Sequence, residues 1–253
     1  MSSSRPDILL YEKKDRIVTM TLNRPDKMNP LNAEMFERLA EAWEKFNADD
    51  DAWVAIVTGA GDKAFSAGAD LSSDRKVERK NVPRFFFMQS WKPTIAAING
   101  YAIAGGWMLA QKCDIRIAAE HAEMGIAEAR WNLSAGWVCS LTRQIGLGHA
   151  LEIALWGDRR INAQRGYEIG WINRVVPKEK LMDEAMSWAY RILDLGPQSV
   201  RNIKQILYQG FYVPEHDFLP FAFGLENNLA GMEDTVEGPK AFLERRKPIY
   251  KNR

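Results

Sequence analysis

Ser66-Ala67-Gly68-Ala69-Asp70 and Asn99-Gly100-Tyr101-Ala102-Ile103-Ala104-Gly105-Gly106 are the two stretches on which the reading of this chain turns. Both consist almost wholly of small residues, and each stands just after or near an apolar run of strand character. Without bulky side chains, main-chain N–H groups can come close to a ligand. The second stretch runs into residues 107–112, helical in composition, whose N-terminal dipole favours negative charge. Two such N–H groups converging on one atom would form an oxyanion hole. Tight strand-to-helix connections would have the same composition, so residue types alone leave both readings open.

Working outward, residues 8–13 and 16–22 are rich in β-branched and apolar residues around the charged turn Lys14-Asp15, which predicts a hairpin. Asn32 reads as an N-cap. Met35, Leu39, Ala42, Trp43 and Phe46 then recur at helical spacing until Asn47-Ala48-Asp49-Asp50-Asp51 ends the pattern. Short apolar runs at 53–57, 94–98 and 115–118 predict buried strands of an α/β layer. From Asn162 onward the character changes. Residues 185–193, 200–208 and 218–229 are helical, broken at Gly196-Pro197 and Val213-Pro214. The expected organisation is one structural unit, with an α/β core over 1–195 and a helical C-terminal region over 196–253.

The chain has 253 residues, 34 basic and 33 acidic, for a formal charge of +1, and no basic stripe, which argues against nucleic acid as a partner. Hydrophobic residues at 46% and charged residues at 26% suffice for a buried core and exclude disorder or a fibre. No apolar run reaches the roughly 18 residues of a membrane span. The opening Met1-Ser2-Ser3-Ser4-Arg5-Pro6-Asp7 lacks a signal-peptide core, so a cytoplasmic location without membrane association is expected. Cys113 and Cys139 form no C-x-x-C pair and read as reduced core residues; His121, His149 and His216 are scattered, and no metal site is expected. Gly59-Ala60-Gly61-Asp62-Lys63-Ala64 satisfies a dinucleotide-binding pattern, but the residues that follow offer no helical face to receive a pyrophosphate.

Several motifs occur in an order that resembles the crotonase, or enoyl-CoA hydratase/isomerase, superfamily. They are Asn23-Arg24-Pro25 with Asn29, Ala64-Phe65-Ser66-Ala67-Gly68-Ala69-Asp70-Leu71, the Asn99 to Gly106 stretch, Cys113-Asp114, Gly157-Asp158-Arg159 and Gly170-Trp171-Ile172-Asn173. The resemblance runs from about Ile8 to Lys251. It implies a spiral of ββα turns, a helical C-terminal region that builds trimers or hexamers, and an acyl-CoA thioester substrate. Coenzyme A then comes as part of the substrate, with no separate cofactor. By position, the resemblance puts the oxyanion-hole amides on Ala69 and Gly105, with Ala67, Gly68, Asp70 and Leu71 around the thioester. It also puts Lys27 and Met28 beside the Asn-Arg-Pro turn, where the family's main chain meets the adenine and pantetheine of coenzyme A, and Arg245 at the nucleotide.

Departures from the family pattern carry information of their own. Hydratases of the superfamily use two glutamates. At the first position stands Met108, which can neither hold nor deprotonate water, and at the second stands Glu128, in Gly125-Ile126-Ala127-Glu128. One group of suitable pKa suffices for general acid/base work. The segment 128–143 is about two residues shorter than its counterpart in such hydratases, which implies a reshaped acyl pocket. Trp107, Trp131 and Trp137 are expected beside the thioester, where aromatic walls suit flat or cyclic acyl groups. Trp131, three residues after the glutamate, is similar to the pattern of hydroxycinnamoyl-CoA hydratase-lyases. Hydration or dehydration through a thioester enolate is the expected chemistry. Double-bond isomerisation, thioester or C–C hydrolysis on the same scaffold, and a non-catalytic CoA- or RNA-binding role are the rivals.

Overall fold

The computed structural model describes residues 7–70 and 84–253. β1 (Leu9–Lys14) and β2 (Ile17–Leu22) form the expected antiparallel hairpin. α1 (Ala33–Ala48) follows, its first turn capped by the Asn32 side chain, which accepts from the Met35 N–H. Met35, Leu39, Trp43 and Phe46 are all buried, as their spacing required.

Two sheets then grow together. β3 (Val54–Gly59) enters the first, and β4 (Ala64–Ser66) the second. β5 (Thr94–Ile98) and β6 (Tyr101–Ile103) repeat that step and lead into α2 (Gly105–Lys112). β7 (Ile115–Ala119) and β8 (Glu123–Gly125) repeat it again. α3 (Leu141–Leu155), β9 (Ile161–Asn162), α4 (Ala163–Glu168) and β10 (Arg174–Val176) complete the spiral. The first sheet has the order β1-β2-β3-β5-β7-β10 and is parallel beyond the hairpin. The second has the order β4-β6-β8-β9. This α/β architecture is the one expected. The Gly59-Ala60-Gly61 segment leads through a turn into β4 and opens no helix, so nothing there could cradle a dinucleotide.

Both faces of the first sheet are covered, which explains why its strands read as continuous apolar runs rather than alternating ones. Ala55, Val57, Ala96, Ile98 and Ala118 face the core shared with α1 and α2. Val54, Ile56, Ile95, Ala97 and Ile117 face α5 (Leu181–Leu193), which supplies Leu181, Ala185 and Ala189. α6 (Pro197–Gly210) and α7 (Glu215–Asn227) begin at the expected Gly196-Pro197 and Val213-Pro214 breaks, and α8 (Glu233–Leu243), a helix the sequence reading did not separate, follows. They are poorly covered: Leu207, Phe211, Phe242 and Leu243 are 69%, 62%, 82% and 80% exposed. Among the described residues no helix is long and apolar enough to cross a membrane.

Candidate active site

Three neighbouring parallel strands of the second sheet deliver the site. β4, β6 and β8 end at Ser66, Ile103 and Gly125, with Ile103 opposite Gly125 in the ladder. The residues two or three positions beyond those ends are Ala69, Gly105 and Glu128. The carboxyl edge of a parallel sheet is where chains leave on diverging paths and open a crevice.

In the first turn nearly every amide is engaged. Ala67 donates to the Met28 carbonyl at 2.9 Å, Gly68 to Ser66 Oγ at 3.1 Å, and Asp70 to the Leu31 carbonyl at 3.0 Å. The Ala69 N–H is left without an acceptor among the described residues. Gly105 opens α2, where the helix itself provides no acceptor, and its N–H is likewise unspent. The two amides are neighbours, since a Cβ on Gly105 would lie 3.6 Å from the Ala69 nitrogen. Two glycines make the approach possible. Gly68 has φ +87°, and a Cβ there would sit 2.6 Å from the Ile103 carbonyl oxygen; a Cβ on Gly106 would overlap the Ser66 carbonyl oxygen. Between them Ala104 is held at φ 52°, ψ −116°, a conformation costly for any side-chain-bearing residue.

Buried amides staple the turn from β3 into β4, at the opposite end of that strand. Asn29, fully buried, donates to the Ala60 and Ala64 carbonyls at 3.0 and 2.8 Å and accepts from the Arg24 N–H at 2.9 Å. Asn99 donates to the Gly59 and Gly61 carbonyls, both at 2.8 Å, and accepts from Gly59 N–H. Arg24 reaches Asp70 Oδ2 at 2.9 Å, so that carboxylate ties the first turn to the loop before α1.

Ala67, Ala69, Gly105, Met108, Glu128 and Trp131 line one cavity of about 560 Å³. Glu128 begins a short 3₁₀ turn, Glu128–Trp131, directly after β8. Its Oε2 is buried with no hydrogen-bond partner. Burial pushes its carboxyl up, an effect only partly offset by its own main-chain N–H, the Trp137 indole and the Ala127 N–H. A carboxylate left short of partners inside a cavity is costly unless a ligand or water uses it. Met108 lies nearby with 2% of its surface exposed, so the place of a first glutamate is filled by apolar bulk.

Other expected residues lie elsewhere. Trp107 is a correction: its indole is fully buried, stacked on Trp171 with centroids 3.9 Å apart and hydrogen-bonded to Gln111, so it braces α2 from behind. Trp131, half exposed, and Trp137 do face the cavity. Cys113 is buried as read, but Cys139 is exposed, a second correction; its short 3₁₀ segment, Gly136–Ser140, runs over the surface. Lys27 and Met28 are exposed on the turn whose carbonyl holds Ala67. Arg245 is exposed just beyond α8 and is not among the residues lining this cavity. Leu71 lies outside the described residues. No group of His, Cys, Asp and Glu suited to a metal occurs among the described residues. Sequence reading missed Phe36, Phe86 and Leu133, apolar walls that come from three separate segments. It also gave no role to Asp158 and Arg159, which line the cavity although their motif had been noticed.

Paired sheets in a ββα spiral, with two open amides and a buried carboxylate at one sheet edge, define the crotonase class of fold. Comparison with solved structures agrees. An enoyl-CoA hydratase from Bacillus anthracis matches with a TM-score of 0.93 at 35% identity, covering 98% of this chain and 100% of that one. An enoyl-CoA hydratase from Mycobacterium tuberculosis H37Rv matches with a TM-score of 0.91 at 32% identity, covering 97% and 99%. The (E)-benzylidenesuccinyl-CoA hydratase of Thauera aromatica is 38% identical over 251 residues, 95% of this chain and 97% of that protein. The enoyl-CoA hydratase/isomerase family model matches residues 12–253, and the chain belongs to that family.

Proposed function

We propose that this protein is an enoyl-CoA hydratase, adding water to, or removing it from, the α,β double bond of an acyl-CoA thioester. The observation that carries this reading is that Glu128, whose Oε2 is buried without a hydrogen-bond partner, lines one cavity with Ala69 and Gly105, the two residues whose amides are unspent. The thioester carbonyl oxygen accepts from both amides. Negative charge that builds on that oxygen as the enolate forms is met by the two N–H dipoles and by the N-terminus of α2. Loss of one such donor costs on the order of 100-fold to 1000-fold in rate. Glu128 takes a proton from water as the water oxygen bonds to the β-carbon. It then returns that proton to the α-carbon as the enolate collapses, which balances the addition with one carboxylate. Met108 supplies no second base, so water is oriented by Glu128 alone.

Coenzyme A arrives as part of the substrate, with Lys27 and Met28 near its path and Arg245 suited to its phosphates. Trp131 and Trp137 suit an aromatic or alicyclic acyl group. The name of the Thauera relative, with its benzylidenesuccinyl thioester, supports that choice. The exposed apolar side chains of α6 and α8 support a homotrimer or homohexamer, and a cytoplasmic location accords with the absence of any spanning helix among the described residues.

Isomerisation is the second reading, favoured specifically by Met108, because a single carboxylate can shuttle a proton between two carbons. Mass analysis after incubation with short-chain, alicyclic and aromatic 2-enoyl-CoA thioesters separates the two. Gain of one water is expected. Mass-neutral conversion would establish isomerisation, release of free coenzyme A would establish hydrolysis, and binding without turnover would make the chain a CoA-binding protein.

A further inference from the structure

A second cavity, of about 900 Å³, adjoins the first, and Phe86, Met108, Ser134 and Trp137 line both. Its largely apolar wall includes three charged side chains, Lys112, Asp114 and Lys204. Asp114 is fully answered: Thr94 N–H at 2.7 Å, Thr94 Oγ1 at 2.9 Å, Lys204 Nζ at 2.7 Å and Tyr208 Oη at 3.0 Å all donate to it. Lys204 and Asp114 therefore cancel. Lys112 is the charge left over. Its ammonium donates only to the main-chain carbonyls of Phe86 and Met88, at 3.0 and 3.3 Å, and has no carboxylate partner among the described residues. A lysine offers three donors; two go to these carbonyls and the ammonium lies 5.1 Å from the Phe85 ring centroid, contacts that leave its charge without an anion among the described residues in the cavity it lines. Burial holds its pKa below the ordinary lysine range, as befits an ammonium short of a counter-ion.

α2 also sets the distance. Gly105, Met108 and Lys112 recur at helical spacing along one face. Seven residues separate the amide at the thioester from Lys112, about 10 Å along the axis at 1.5 Å per residue. Resting on the hydratase reading, we infer that the preferred acyl group carries a second, distal carboxylate, which passes between Met108 and Trp137 and pairs with Lys112. Such a substrate brings to the cavity an anion that the described residues do not supply to Lys112.

The test compares paired 2-enoyl-CoA thioesters of about six to ten carbons, a length matched to the 10 Å spacing, one of each pair ending in methyl and the other in carboxylate. The carboxylate-ended member is expected to have a kcat/KM at least about tenfold higher at the matching length. Lys112→Met should abolish that ratio and Lys112→Arg retain most of it. Because the readout is a ratio within one preparation, partial loss of folded protein does not mimic the result. Turnover of methyl-ended substrates with no carboxylate preference, or a preference indifferent to Lys112→Met, would overturn the inference and leave the hydratase reading intact. Failure of every thioester to react would instead remove the hydratase reading.

Discussion

Glu128 is held where a carboxylate is poorly solvated, and that cost is measurable apart from catalysis. Glu128→Gln should lower turnover by at least about 100-fold. A carboxyl whose folded pKa is raised binds more protons in the folded than in the unfolded state between the ordinary and raised values, so stability falls as pH rises through that window. Glu128→Gln removes the buried charge. Its Tm should therefore exceed that of the parent at neutral pH and match it more closely in acid, as thermal unfolding at several pH values would show. Met108→Glu tests the neighbouring vacancy in the chemistry. A second carboxylate in the same cavity raises the first by like-charge repulsion, so the acidic limb of the kcat/KM profile should move to higher pH.

At the scale of elements, the site depends on three short strands, and buried asparagines fix the turn that leads from β3 into the first of them. Asn29→Ala leaves the Ala60 and Ala64 carbonyls and the Arg24 N–H to other partners. The expected loss is about 3 kcal/mol of unfolding free energy, seen as a lower denaturant midpoint with unchanged slope. The hairpin, α1, and β3, β5 and β7 were legible because period and burial agree within each segment. β4, β6 and β8 were not. Each is three residues long, and their pairing joins positions some 20 to 40 apart in sequence, which no local pattern records.

For the whole molecule, α6, the residue after it and α8 leave Leu207, Phe211, Phe242 and Leu243 to solvent in the isolated chain. These side chains would be buried in the proposed homotrimer or homohexamer. Sedimentation should give a particle of three or six chains of 28.8 kDa, and Leu207→Asp with Phe242→Asp should shift it toward monomer.

The sequence by itself determined the order of motifs, and with it the α/β fold and the candidate positions Ala69, Gly105 and Glu128. Small residues at the turns and apolar period in the strands and helices are local properties, written where they act. Only the tertiary structure decided which tryptophan is which: Trp107 stacks behind α2 on Trp171, whereas Trp131 and Trp137 face the cavity. It also decided that Asp114 is neutralised by Lys204 while Lys112 has no carboxylate partner among the described residues. Whether a charge is paired depends on neighbours brought from some 90 residues away, and that information exists only once the chain has folded.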